Sequence, residues 1–232
     1  MTFKKLVLCF LVSLPIAALC QQKEYVVSVD DRNAAIKLTN QAIKLIGDKK
    51  YSEAIPLLKK AIAIDSVYRT SYMQFYKASL LNNDHSENAI AYLKKAARIF
   101  EEDDEICYFL GECYRLNNQF KDAIAEYNSA IKFNAKAGEN SPFFHLYYFN
   151  RAVCYMKLEQ YDLAIPDLSN TLKIKADLPN ALLNRGICYI KTNKKEEALA
   201  DWNKAAALGN TAAGDYVKKY ATQATAKHKK TR

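Results

Sequence analysis

A chain of 232 residues that is 50% hydrophobic, with only 6 Gly and 5 Pro, can fill a continuous core and is neither disordered nor collagen-like. Its net charge of +9 does not mark a nucleic-acid-binding body: Lys4 and Lys5 carry two charges and Lys218, Lys219, Lys227, Lys229, Lys230 and Arg232 carry six, leaving residues 21–217 at +1. β-branched runs are short, so an all-helical fold is the economical expectation.

In chain order, residues 1–20 place Lys4-Lys5 before an apolar stretch from Leu6 to Leu19 and end on Ala18-Leu19-Cys20. A basic start, a short apolar middle and small residues beside a cut are the pattern of a secretory signal, with cleavage expected after Cys20. The stretch is short for a membrane-spanning helix. In the alternative Cys20 becomes a lipidated terminus, although Leu19 stands where such signals carry a small residue. The export expected is to the periplasm or the medium, or to the membrane if Cys20 is lipidated. Residues 21–34 are a polar lead-in around Tyr25-Val26-Val27.

Helical hairpins follow. In the third, Leu110 and Tyr114 share one helix face with Gly111 beside them, Asn117-Asn118-Gln119 makes a turn, and Ala123, Tyr127 and Ala130 stripe a second helix. A glycine inside a helix costs about 1 kcal/mol, so Gly111 implies close approach of the second helix, with Tyr127 filling the space between. The alanine opening the second helix recurs as Ala54, Ala89, Ala123, Ala164 and Ala198, at gaps of 35, 34, 41 and 34. The hairpins are placed at residues 35–68, 69–103, 104–137, 145–178 and 179–210. The lengthened gap puts an insertion at 138–144, where Gly138 closes a helix and Ser141-Pro142 opens the next. The aromatic run around it (Phe143, Phe144, Tyr147, Tyr148, Phe149) is expected mainly to pack. Ser52 and Asp162 are the expected caps, with Pro56 and Pro166 just inside their helices. A capping helix is expected over 211–221, with Ala212, Ala213, Tyr216 and Tyr220 covering the last hairpin. Residues 222–232 form a basic tail expected to be disordered, able to touch anionic lipid or polymer weakly.

Little in the chain suggests chemistry. His85, His145 and His228 are scattered, and no H-E-x-x-H, G-x-S-x-G or phosphate-cradling glycine loop occurs. The acid run Glu101 to Glu105 lies at a hairpin junction, where capping explains it. Cys107, Cys113, Cys154 and Cys188 read as buried free thiols; the last three hold equivalent positions on stacked helices, ~8–10 Å apart and too far for a disulfide. No catalytic residue, metal ligand or cofactor is expected, and the protein is not expected to be an enzyme.

The repeat near 34 residues resembles the tetratricopeptide repeat over about residues 35–209. The third copy matches with Leu110, Gly111, Tyr114, Phe120, Ala123, Tyr127 and Ala130; the fourth with Ala152, Tyr155, Tyr161, Ala164 and Leu168; the fifth with Gly186, Tyr189, Ala198, Trp202 and Ala205. The first offers Ala42, Leu45, Tyr51, Ala54, Leu58 and Ala61, whereas the second departs, with Tyr76 in the small-residue slot. The resemblance implies an all-α, right-handed solenoid of about five helix-turn-helix repeats with a C-terminal capping helix. It also implies a non-catalytic scaffold whose first helices line a concave groove for a partner protein or peptide. The positions so implied are Asn40, Gln74, Lys77, Tyr108, Glu112, Arg115, Phe149, Asn150 and Asn184. Asn150-Arg151 and Asn184-Arg185 recur in step. The alternative role is structural, a cell-envelope component acting through its ends, its tail or a lipid at Cys20. Neither reading involves nucleic acid.

Overall fold

The structure, a computed structural model, describes residues 5–6, 26–83, 87–138 and 141–229. The expected cut and lipidation site at Cys20, most of the apolar leader, His85 and the chain end beyond 229 lie outside the described residues. The chain forms two compact units, Met1–Glu101 and Glu102–Arg232.

In the first unit, α1 (Val29–Gly47) pairs with α2 (Tyr51–Ile64), and α3 (Arg69–Leu81) packs on both and leads into α4 (Glu87–Ile99). The second unit contains α5 (Asp104–Leu116), α6 (Phe120–Lys136), α7 (Phe144–Lys157), α8 (Tyr161–Ile174), α9 (Pro179–Lys191), α10 (Lys195–Ala207) and α11 (Thr211–Lys229), each packed on the next in sequence. Both are stacks of antiparallel helix pairs, the all-α solenoid architecture expected from the repeat. A two-residue antiparallel pairing of β1 (Lys5–Leu6) with β2 (Val27–Ser28) precedes α1.

One turn chemistry builds the hairpins. Among the described residues, the turn inside each of the five hairpins holds one residue with positive φ: Lys49, Asn83, Asn118, Glu159 and Asn193. In four of them the next residue's N–H reaches back to a carbonyl five residues earlier, at 2.8 Å: Lys50 to Leu45, Gln119 to Tyr114, Gln160 to Tyr155 and Lys194 to Tyr189. This is a Schellman closure, which satisfies carbonyls left without intrahelical partners and reverses the chain in three residues. Asn tolerates the left-handed region because its short amide can bond locally, whereas Lys49 and Glu159 hold it at a cost of about 1 kcal/mol each.

The small-residue contacts are tight. Ala54, Ala89, Ala123, Ala164 and Ala198 are all at most 1% exposed. At Gly111 the structure refines the expectation: a Cβ there would lie 2.8 Å from Tyr127 Cε1. The glycine therefore admits the Tyr127 ring, not the backbone of the second helix. Gly186 admits Trp202 in the same way, with 2.4 Å from a Cβ to Nε1.

Several local expectations are corrected. Ser52 and Asp162 are not caps: α2 and α8 begin two residues earlier than such caps would set, after Lys50 and Gln160, without a side-chain cap. Pro56 and Pro166 consequently sit at the sixth helical position, past the first turn, where each removes a bond to the carbonyl of Ser52 or Asp162. Both of those residues are exposed, so water can take the freed carbonyl. The lead-in is shorter than expected, because Ser28 accepts from the Asp31 N–H at 3.0 Å and starts α1 at Val29. The tail expected to be disordered continues α11 to Lys229, in a sequence free of Gly and Pro after Gly214. The acid run caps as expected, with Asp103 accepting from the Ile106 N–H at 3.0 Å.

Candidate partner-binding groove

The nine groove positions fall on both units. Asn40 on α1 is exposed, and on α3 Gln74 is half-buried and Lys77 exposed. In the second unit Tyr108, Glu112 and Arg115 lie on α5, Phe149 and Asn150 on α7, and Asn184 on α9. Helices α5, α7 and α9 neighbour one another as one layer, and each pairs with the following helix.

Helical spacing separates the faces of α7. Arg151 faces α6 and α8, donating to Asp167 at 2.8 Å and 2.6 Å and to Asn128 at 2.6 Å. Ala152 packs with α8 and α9 in a core that holds Ala164, Leu168 and Ala181. Asn150 faces α5. Phe149, which also packs against that core, and Val153 lie toward the remaining side, both half-buried. On α9 the same register places Leu183 and Ile187 there, half-buried and resting in part on the core around Trp202, with Asn184 beside them. Sequence reasoning had named Phe149 and Asn184 and missed Val153, Leu183 and Ile187. Their signal was present as apolar residues four apart, repeated 34 residues on, but it looks the same as a core stripe. The recurrent arginines serve the fold: Arg185 pairs with Asp201 at 2.7 Å and 2.8 Å, as Arg151 does with Asp167, tying first helix to second in each hairpin.

At α5 the groove positions bond to one another. Glu112 is 7% exposed and accepts from Arg115 at 3.0 Å and 2.9 Å, from Asn150 Nδ2 at 2.7 Å and from the Tyr127 hydroxyl. Asn150 also donates to Tyr108 Oη at 3.3 Å. The hydrogen bonds it donates to Glu112 push the Arg115 guanidinium above its ordinary range. Burial, then the Glu112 charge, pushes the Tyr108 and Tyr127 phenols up. Four expected contact residues thus hold α5, α6 and α7 together. Arg115, whose charge is matched by Glu112, is not a free site for an acidic partner.

The cysteines among the described residues are withdrawn from solvent. Among the described residues no cluster of His, Cys, Asp and Glu could hold a metal ion. Cys107, Cys113, Cys154 and Cys188 are buried, and none is in a disulfide. Burial pushes the thiols of Cys107, Cys154 and Cys188 up to about 12 from an ordinary 9.0. The sign follows from proton counting: the folded form keeps protons that the unfolded form releases above pH 9.0, so stability is complete below that pH and lost between it and about 12. Urea midpoints are expected to hold steady to pH 9 and then fall. At pH 8 a thiol reagent should label these four cysteines of the native protein only as fast as it unfolds. Rapid native labelling of any of the four would contradict the burial. An open crevice of about 460 Å³ lies elsewhere on the second unit, lined by Glu159, Gln160, Tyr161, Asp162, Leu163, Lys191 and Thr192.

Comparison with known proteins agrees with this geometry. Tetratricopeptide repeat models match residues 80–139 and 149–216. The chain superposes on the crystal structure of YrrB, described as a tetratricopeptide protein with an unusual peptide-binding site, with a TM-score of 0.66 at 21% identity, covering 82% of this chain and 94% of that one. MamA from Desulfovibrio magneticus RS-1 gives 0.67 at 16% identity over 77% and 97%. Pseudomonas aeruginosa pilF gives 0.66 at 12% over 84% and 91%. These likenesses show the fold. In sequence the chain is 38% identical over 61 residues to sperm-associated antigen 1 of Mus musculus, covering 26% of this chain and 6% of that protein. It is 29% identical over 136 residues to the UDP-N-acetylglucosamine–peptide N-acetylglucosaminyltransferase of Giardia intestinalis, covering 58% and 8%. The chain spans under a tenth of the length of these curated relatives. Its repeats are of the kind that serves as a protein–protein interaction scaffold, generally without catalysis. The chain belongs to the tetratricopeptide repeat family.

Proposed function

We propose that this protein is an exported, non-catalytic scaffold that holds a peptide segment of a partner protein against the first-helix layer of its repeats. The observation that carries the reading is the half-buried apolar pair recurring on that layer, Phe149 and Val153 on α7 and Leu183 and Ile187 on α9, with Asn184 alongside. Such a strip offers apolar contacts to a partner's side chains, and the Asn184 amide offers a donor and an acceptor to its backbone. The peptide-binding site described for YrrB supports the same role. Export rests on the Lys4-Lys5 start, the apolar run to Leu19 and the expected cut after Cys20.

A photo-crosslinking side chain placed at Phe149 or Asn184 is expected to capture the partner, and one at Lys173 on the exposed side of α8 is not. Equal capture from both sides would overturn the groove. Protein sequencing of the processed chain should begin at Gln21, and a chain retaining Lys4-Lys5 in the exported fraction would contradict the leader.

A further inference from the structure

The insertion between the third and fourth hairpins returns to the groove. Gly138 closes α6 with positive φ, and α7 begins at Phe144. Just before α7, the Phe143 ring lies parallel to that of Tyr108, centroids 5.9 Å apart at 12°, and meets Phe109 edge-on at 5.9 Å and 66°. Tyr147 lies against Tyr108 at 4.9 Å, its ring tilted by 34°. The register shows how unusual this is. Tyr108, Phe149 and Leu183 hold the same place in successive hairpins, yet Tyr108 is 6% exposed while the other two are half-buried. Of these three, Tyr108 is the one over which Phe143 lies.

We propose that Tyr108, Phe109 and Tyr147 form an aromatic slot at the α5 end of the groove, occupied by Phe143 in the partner-free protein, and that an aromatic side chain of the bound peptide takes Phe143's place. This rests on the groove reading above and adds the chemical class of residue the partner presents.

Two features fit the slot for exchange. Its walls are fixed without Phe143: the Tyr147 hydroxyl bonds Asp104 at 2.9 Å and Ser141 at 2.7 Å, and Tyr108 accepts from Asn150 at 3.3 Å. Phe143 itself is half-buried, and its N–H bonds only within its own turn, to Ser141 Oγ at 3.2 Å. Its carbonyl starts α7 by accepting from Leu146 at 2.7 Å, so the ring can swing out by side-chain rotation while the helix stays in place. Flat rings at these separations attract through offset quadrupoles, an interaction that any aromatic side chain of a ligand can reproduce.

The test uses the full chain, its Phe143→Ala variant, and N-acetyl-phenylalaninamide as probe. Binding is followed in the NMR signals of ring-labelled tyrosine. The variant is expected to bind with a Kd on the order of 1 mM, as suits so small a ligand. The parent should bind at least tenfold more weakly, and N-acetyl-leucinamide should bind the variant more weakly than the phenylalanine probe. Adding Tyr108→Ala to the variant should abolish binding. A folded Phe143→Ala protein that does not bind, or binds no better than the parent, overturns the slot. Should that variant not fold, Phe143→Leu keeps the bulk without the flat face, and it must still bind more tightly than the parent. A failed slot with continued crosslinking from Phe149 would leave the groove standing.

Discussion

Glu112→Ala is expected to destabilise the second unit by about 3 kcal/mol. Removing one partner of a buried charge pair costs about 3–5 kcal/mol, because the other charge stays behind in a poor medium. The low end applies here, since the Arg115 side chain is 24% exposed and can turn to water. Tyr127 cannot: it is 0% exposed, and its hydroxyl loses the acceptor it points at. Glu112→Gln should cost less, about 1.5–3 kcal/mol, as neutral acceptors replace charged ones. The exposed pair Lys136–Glu102, 66% and 51% exposed, is the control, and Glu102→Ala should cost well under about 1 kcal/mol. Urea unfolding followed by Trp202, the one tryptophan of the chain and part of this unit, measures all three. A Glu112→Ala loss no larger than the Glu102→Ala loss would show that the network contributes nothing.

The second large effect is Gly186→Ala, with an expected loss of about 2 kcal/mol. Helix propensity favours alanine by about 1 kcal/mol. Against it, the new Cβ falls 2.4 Å from Trp202 Nε1 and 2.7 Å from Cδ1, so the ring must move. Trp202 is 0% exposed, stacked on Tyr216 at 4.7 Å, with its indole N–H given to the Leu183 carbonyl at 3.1 Å. Overpacking of that kind costs about 1–3 kcal/mol, and the weakened indole bond adds about 1 kcal/mol. Gly214→Ala should have the opposite sign. Its nearest neighbour would be Ala206 Cβ at 3.9 Å, an ordinary contact, so it is expected to stabilise by up to about 1 kcal/mol. In a Trp202→Leu background the Gly186→Ala loss should largely vanish, because the pair is coupled through one contact. Circular dichroism serves as the readout once the tryptophan is gone. Equal losses in both backgrounds would show that the ring is not what Gly186 admits.

The periodicity was enough to place the helices because it records a local need. Each hairpin must bury one stripe, so Ala54, Ala89, Ala123, Ala164 and Ala198 recur where second helix meets first. The turn at Asn117-Asn118-Gln119 was legible for the same reason, since Asn118 takes the left-handed backbone that Asn tolerates. The true starts of α2 and α8 were not legible, because Lys50 and Gln160 make no cap, while Ser52 and Asp162, one position inside each helix, carry the capping chemistry.

The candidate site divides along the same line. Sequence by itself determined the repeat, the family, the absence of a catalytic pattern, and that Tyr108, Glu112, Phe149 and Asn184 lie on first helices, because those facts follow from residue type and spacing along one chain. Only the tertiary structure decided which polar groups satisfy one another. Glu112 spends its oxygens on Arg115, Tyr127 and Asn150, three, fifteen and thirty-eight residues away, and Phe143 lies over Tyr108. Hydrogen bonds and ring contacts depend on distance in space, which no linear pattern encodes once the chain has turned back on itself.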